Sequence, residues 1–396
     1  MISPKRVLSL TVVILFVANQ AQGQQSSGKR ARDIGIPFEG TPGALNSITD
    51  VPGVEVGYAT LVSGNGKWKV GEGPVRTGVT VILPKGKSDD SYGAGYFIFN
   101  GDGEMTGIPY IHDYGRISSA IAITNTNSVG IVRDAVGEWR FRQFGSKSPI
   151  DFSFGLPVVA ETWDGFLNDI NGYHVRKEHV FHALNSAAGG RIAEGSVGGG
   201  TGMICYYFKC GTGTSSRNVR IGSKEYSVGV LVQANMGQLP DLVIAGVPVG
   251  KEITDLEPIE KPQQDGSIIV IVGTDAPLSS GQLTLVAKRA ALGMGRTGTI
   301  GNSGSGDIFL AFSTSPAVYD SSARTLTSAS LGKSSLDPIF RATVRATEEA
   351  IINALVAAKD MEGINGNKVF AIPHDRLRDV MKKYNRLVPS SVPNGR

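Results

Sequence analysis

The sequence has little of what several function classes require. Its five histidines show no metal-binding spacing: His174, His179 and His182 sit near one another, but without supporting cysteine or carboxylate ligands. No structural or catalytic metal, and no cofactor, is expected. Cysteine is almost absent, with Cys205 and Cys210 close together in one strand-like region. An exported protein permits a disulfide between them, but spacing alone does not fix the geometry; the reading is two buried thiols. There is no run of basic residues, and a net charge of +4, or +2 once Lys5 and Arg6 are removed, gives no reason to expect nucleic acid. After the first residues no stretch is long and apolar enough to span a membrane. The 52 glycines follow no collagen-like period, and no repeat is visible. Gly198-Gly199-Gly200-Thr201-Gly202 lacks the Lys-Ser/Thr that a phosphate-binding loop needs, so it reads as a place where backbones approach closely.

What is present begins with an export signal. Lys5 and Arg6 precede the apolar run Val7 to Ala18, and Ala21-Gln22-Gly23 supplies small residues for cleavage. The run falls short of the roughly 20 residues of a spanning helix. Residues 1–23 are therefore expected to be removed, leaving an exported protein, periplasmic in a Gram-negative source. Residues 24–396 read as one domain, and 41% hydrophobic content supplies its core.

Short apolar runs then alternate with turns. Val79-Thr80-Val81-Ile82-Leu83, Ile121-Ala122-Ile123, Leu156-Pro157-Val158-Val159-Ala160 and Val228-Gly229-Val230-Leu231-Val232 predict strands. The last three end in polar groups: Thr124 to Asn127, Glu161, and Gln233-Ala234-Asn235. Ser279 or Ser280 caps a helix to about Gly293, and Ser335 or Asp337 with Pro338 opens one to about Lys359. On the second helix Arg341 with Arg345, and Glu348 with Glu349, read as a solvated face. A last helix is expected over Asp375 to Tyr384. Strands interleaved with long helices argue for an α/β fold with sheet covered by helix.

One junction concentrates the chemistry. Leu256 to Gln264 is polar and carries two prolines, Asp265-Gly266 is a turn pair, and Ser267-Ile268-Ile269-Val270-Ile271-Val272 is a β-branched buried strand. A hydroxyl beside a strained peptide can attack the preceding carbonyl, and Gly266 leaves that carbonyl unshielded. Cutting between Gly266 and Ser267 would give chains 24–266 and 267–396. Ser267 would then carry a nucleophilic hydroxyl and an α-amino base, whose unperturbed pKa is about 8, on one residue.

Several motifs follow one another in order: Gly40-Thr41-Pro42-Gly43, Ile48-Thr49-Asp50-Val51-Pro52-Gly53-Val54, Asn100-Gly101-Asp102-Gly103-Glu104-Met105-Thr106-Gly107, Val158 to Gly165, Gly198 to Met203 and Val232-Gln233-Ala234-Asn235. The series, covering nearly all of the chain after the signal, resembles the L-aminopeptidase D-esterase / D-aminopeptidase family, which includes the β-peptidyl aminopeptidases. The resemblance implies an αββα four-layer sandwich, shared with ornithine acetyltransferases, and self-cleavage that frees Ser267 as nucleophile. It assigns Ser305 as a second catalytic serine contacting Ser267. It puts Asp307 where β-peptidyl members carry glutamate, Asn235 at the oxyanion, Glu161 on the substrate's free amino group and Trp163 on the pocket wall. Tyr58 replaces a histidine common in the family. The chemistry agrees: an amide NH₂ aimed at an oxyanion is worth about 3 kcal/mol in a dry site, and a carboxylate facing an ammonium selects free N-termini.

The expectation is a self-processing serine aminopeptidase acting on short peptides, amides or esters, β-peptides included, as a homo-oligomer of two-chain subunits. Acyl transfer from the same acyl-enzyme, or a non-catalytic binding protein keeping the fold, are the alternatives. Ser330-Leu331-Gly332-Lys333 fits a Ser-x-x-Lys pattern but lacks that pattern's later partners, and reads as chance.

Overall fold

The computed structural model describes residues 28–146, 148, 156–258, 266–320 and 322–388. The expected signal, Met1 to Gly23, lies outside the described residues, as do Asp265 and most of the loop before it.

The strands form two large sheets. The first contains β1 (Glu55–Ser63), β2 (Val75–Leu83), β5 (Ile121–Asn125) and β6 (Val158–Thr162), in the order β1-β2-β5-β6. The second contains β3 (Tyr92–Gly101), β4 (Arg116–Ile117), β9 (Thr212–Ile221), β10 (Lys224–Met236), β11 (Gly266–Thr274) and β12 (Gly306–Ser313), in the order β4-β3-β12-β11-β10-β9. A short hairpin, β7 (Ile204–Cys205) with β8 (Phe208–Lys209), precedes β9. The helices are α1 (Ile108–Tyr114), α2 (Val129–Phe144), α3 (Lys177–Ser186), α4 (Ser280–Gly295), α5 (Asp337–Val356) and α6 (His374–Lys383).

Strand alternation shows how the layers stack. On β11, Ile268, Val270 and Val272 join the α4, α5 and α6 side chains in one core, while Ile269 and Ile271 join Ile82, Ile121, Ile123 and Ala160 of the other sheet. On β2, Ile82 faces the second sheet, whereas Val79, Val81 and Leu83 pack with Val132, Val136 and Trp139 of α2 and Val180 and Leu184 of α3. The order is helix, sheet, sheet, helix, the αββα sandwich expected. A strand buried on both faces needs an unbroken apolar run, as in Ile268 to Val272. Burying each such side chain contributes about 1.5–3 kcal/mol.

Local chemistry fixes the helix ends unevenly. Ser279 caps α4 in a reciprocal box with Gln282, as expected. In α5, Pro338 sits in the first turn, but Leu336 takes the N-cap position without a side-chain bond, so neither Ser335 nor Asp337 caps it. The solvated face expected at Glu348 and Glu349 is buried instead. Glu349 accepts from Arg32 at 2.7 and 2.8 Å, from Arg217 at 2.6 Å and from Asn46 at 2.6 Å. Burial opposes its ionisation, but Arg217 and Arg32 outweigh burial and hold the carboxyl below its ordinary range.

Cys205 and Cys210 form a disulfide rather than two free thiols. The hairpin turn between β7 and β8 folds the chain back and brings the two side chains together. The glycine run behaves as expected: Cβ atoms on Gly199 and Gly200 would lie 2.2 Å from Gln233 Oε1 and 2.4 Å from the Thr212 nitrogen.

Candidate active site

Ser267 is the second residue of β11, in the middle of its sheet. It pairs with Asn235 of antiparallel β10 and with Gly306 of parallel β12. Alternation puts Ser267 on the face of Ile269 and Ile271, and Asn235 on the face of Leu231; both faces look toward the first sheet. Directly opposed residues on one face have Cβ atoms about 5 Å apart, so hydroxyl and amide are neighbours.

Gly266 adopts φ 94°, and a Cβ there would lie 2.4 Å from the Asn235 carbonyl oxygen. Only glycine suits that conformation and that approach. Ser267 is 5% exposed, and its Oγ has no hydrogen-bond partner among the described residues. A buried hydroxyl left open is an exception that calls for a chemical reason.

The Asn235 side chain is held at both ends. Its Oδ1 accepts from the Ile204 N–H at 2.9 Å, and its Nδ2 donates to the Trp163 carbonyl at 3.0 Å. An N–H only donates and a carbonyl only accepts, so the amide has one orientation, with one Nδ2 hydrogen to spare. Trp163 follows β6, and its indole lies against Gly165 and the cluster of Phe166, Leu167, Ile204 and Val369.

Glu161 lies within β6 and is nearly buried. It accepts from the Glu104 N–H at 3.0 Å and from the Thr126 hydroxyl at 2.5 Å. Burial pushes its pKa above the ordinary carboxylate value, against the pull of those two donors. A Cβ on Gly103 would lie 3.0 Å from Gly306 Cα and 3.1 Å from Glu161 Oε1. The open face of Gly103 thus abuts both the carboxylate and the residue that pairs with Ser267, which brings Glu161 into the same site.

Ser305 and Asp307 flank Gly306. The Ser305 hydroxyl donates to Asp307 Oδ1 at 2.6 Å, and Asp307 Oδ2 has no hydrogen-bond partner among the described residues. Burial raises the Asp307 pKa, against the pull of Ser305, the Asn100 side chain and the Ile268 N–H beside the carboxyl. The expected contact from Ser305 to the Ser267 hydroxyl is not a hydrogen bond in this uncut chain, since Ser267 Oγ makes none. Alternation puts Asp307 on the helix-facing side, with Phe309 and Ala311. Tyr58 donates to the Ala193 carbonyl at 3.0 Å, which makes it a packing residue. His174 pairs with Asp169 at 2.8 Å.

Sequence reasoning passed over Gln233, Thr126 and the Ile204 N–H. Gln233 donates to the Thr124 carbonyl at 2.9 Å and the Thr162 hydroxyl at 2.8 Å, tying β10 to the ends of β5 and β6. The polar strand ends at Thr124 to Asn127 and Gln233 were the available signal.

The sequence profile of peptidase family S58 matches residues 46–369. The chain belongs to peptidase family S58. It is 50% identical over 382 residues to the beta-peptidyl aminopeptidase BapA of Sphingosinicella microcystinivorans, covering 93% of this chain and 95% of that protein. Among solved structures it resembles the L-aminopeptidase D-Ala-esterase/amidase of Ochrobactrum anthropi, a prototype for the serine aminopeptidases and a variant of the Ntn-hydrolase fold. The TM-score is 0.84 at 45% identity, covering 91% of this chain and 99% of that one. A Burkholderia beta-aminopeptidase follows with TM-score 0.81 and 43% identity, covering 90% and 99%. This S58 member is a peptide hydrolase of the serine aminopeptidase class on the Ntn-hydrolase fold.

Proposed function

We propose that the chain cuts itself between Gly266 and Ser267 and then removes N-terminal residues from short peptides, amides or esters, β-peptides among them. The observation that carries the reading is the buried, unbonded Ser267 hydroxyl beside the oriented Asn235 amide. Ser267 attacks the scissile carbonyl, its own new α-amino group takes the proton, and the spare Nδ2 hydrogen of Asn235 meets the oxyanion. Collapse of the tetrahedral intermediate breaks the scissile bond, and the α-ammonium of Ser267 returns its proton to the departing amine or alcohol. Water, deprotonated by the same amine, then opens the acyl-enzyme and frees the Ser267 hydroxyl. The freed amine lies in the plane of the sheet and is reachable from either face, so the open Oδ2 of Asp307 receives it.

The cut is read by mass spectrometry. Fragments beginning near Gln24 and at Ser267 are expected, with hydrolysis of β-aminoacyl amides that carry a free amine. An active chain of a single uncut mass would overturn self-processing. Export fits this reading, because the Cys205–Cys210 disulfide suits an oxidising compartment. The family resemblance supports a homo-oligomer of two-chain subunits.

Glu161 anchors the substrate's ammonium group. A hydrogen bond to a charged partner is worth about 1.5–3 kcal/mol, so Glu161→Gln is expected to lower kcat/KM for free-amine substrates by about 30-fold. Only the ionised carboxylate pairs with an ammonium, and burial raises the Glu161 pKa. The acid limb of kcat/KM against pH should therefore lie above the ordinary carboxylate range and disappear in Glu161→Gln. Steady-state kinetics across pH decide it; an unchanged profile would remove Glu161 from the role.

A further inference from the structure

One of the two bonds that orient the Asn235 amide comes from outside its own sheet, from the hairpin of β7 and β8; the other goes to the Trp163 carbonyl. Ile204 opens that hairpin and supplies the N–H that fixes Asn235 Oδ1. The two residues of its turn, Tyr206 and Tyr207, sit at φ 52° and φ 65°. Such turns ordinarily use Asn-Gly, because L side chains are disfavoured at positive φ. A hairpin with this turn needs external support to hold its shape.

Three supports are present. The Cys205–Cys210 disulfide closes the hairpin at its base. The fully buried Lys209 Nζ donates to the Met203 carbonyl at 2.8 Å and the Cys210 carbonyl at 2.7 Å, with no carboxylate partner among the described residues, and burial lowers its pKa to about 7. Tyr206 bonds through its hydroxyl to Thr297 at 2.7 Å and through its N–H to the Met236 carbonyl at 3.0 Å. Met203 and Cys210 also pair directly, Cys210 N–H to Met203 carbonyl at 3.1 Å. The lysine therefore ties together the residues on either side of the hairpin, Met203 and Cys210, while the disulfide joins Cys205, next to Ile204 in β7, to Cys210. A buried lysine facing only carbonyls is costly to keep.

We propose that the Cys205–Cys210 disulfide and Lys209 are positioning groups for the reaction, acting through the Ile204 N–H to hold the Asn235 amide on the oxyanion. The inference rests on Asn235 being the oxyanion donor. Loosening the hairpin frees the amide to swing, and misplacement by about 1 Å can cost about a hundredfold in rate.

The test is a double-mutant cycle on the full, self-processed protein. Cys205→Ala/Cys210→Ala is expected to lower kcat at least tenfold with KM within twofold, while the chain is still cut. Wild-type enzyme reduced with a phosphine, its thiols counted by alkylation and mass spectrometry, should lose activity equally and regain it on reoxidation. Both cysteines are fully buried, so the reduction is done in mild denaturant that is then removed, beside an unreduced control, and this preparation settles the matter if the double variant does not fold. Lys209→Met, which keeps the volume, should act in the same direction. In an Asn235→Ala background both changes should alter kcat by less than twofold. Wild-type kcat in the reduced enzyme, or losses that multiply undiminished in the Asn235→Ala background, would overturn the inference. Wild-type kcat in Asn235→Ala alone would instead overturn the oxyanion reading on which it rests.

Discussion

Ser267→Ala is expected to yield a folded chain that is neither cut nor active. The substitution removes one oxygen atom that makes no hydrogen bond among the described residues, so no partner is stranded. The alanine methyl group keeps the strand geometry, and the apolar alternation of Ile268 to Val272 on either face is untouched. Stability should therefore change by no more than about 1 kcal/mol. The chemistry has no such tolerance. The same hydroxyl is proposed to attack the Gly266 carbonyl once and the substrate carbonyl in every turnover, and a missing nucleophile leaves at best the residual catalysis of binding and oxyanion contacts. A fall in kcat of at least about 10⁴-fold is expected. The readouts are intact mass, a thermal melt and hydrolysis of an aminoacyl amide. A second chain beginning at residue 267 in this variant would sink self-cleavage by Ser267.

The parts of this molecule that were legible in its sequence are those whose cause is local. Strand β11 announces itself because a strand covered on both faces needs a continuous β-branched run, and α4 because Ser279 and Gln282 build its cap within four residues. Asn235 and Glu161 could be read as strand-end polar groups for the same reason. That Asn235 faces Ser267 is a fact of strand register, which only the pairing of β10 with β11 supplies. Glu349 looked like surface because its partners Arg32 and Arg217 are remote in the chain. The disulfide depended on a turn that places two tyrosines at positive φ, against their ordinary preference, so export and spacing allowed the bond without fixing its geometry. Helix α2 was missed because the charged residues of Val129–Phe144 dilute the apolar stripe of Val132, Val136 and Trp139. Support of Asn235 by the Ile204 N–H involves a backbone group, to which residue identity is blind.

Asp307→Asn should separate the turnover machinery from the fold. Asp307 is 1% exposed, and burial raises its pKa, so the site is costly for a charge. The amide keeps an acceptor for the Ser305 hydroxyl, which now bonds Oδ1 at 2.6 Å, and places an NH₂ where Oδ2 has no partner. One buried unpaired atom replaces another, so folding should persist. Self-cleavage should persist too, because the new amine does not exist until the peptide bond is broken. Turnover is different: in the proposed mechanism that amine takes and returns a proton in each cycle, and a neutral amide in place of the carboxylate would no longer stabilise its charged form. The expected result is a cut, folded enzyme whose kcat is at least tenfold lower. Asp307→Glu supplies the reverse control. It supplies the longer carboxylate that the family resemblance implies for β-peptidyl members, so its kcat is expected to stay close to wild type, with preference shifting toward β-aminoacyl substrates. Rates for both variants on one α- and one β-aminoacyl amide, measured after two chains are confirmed by mass, decide the matter. Wild-type rates in Asp307→Asn would place this carboxylate outside proton transfer and reduce its part to holding Ser305.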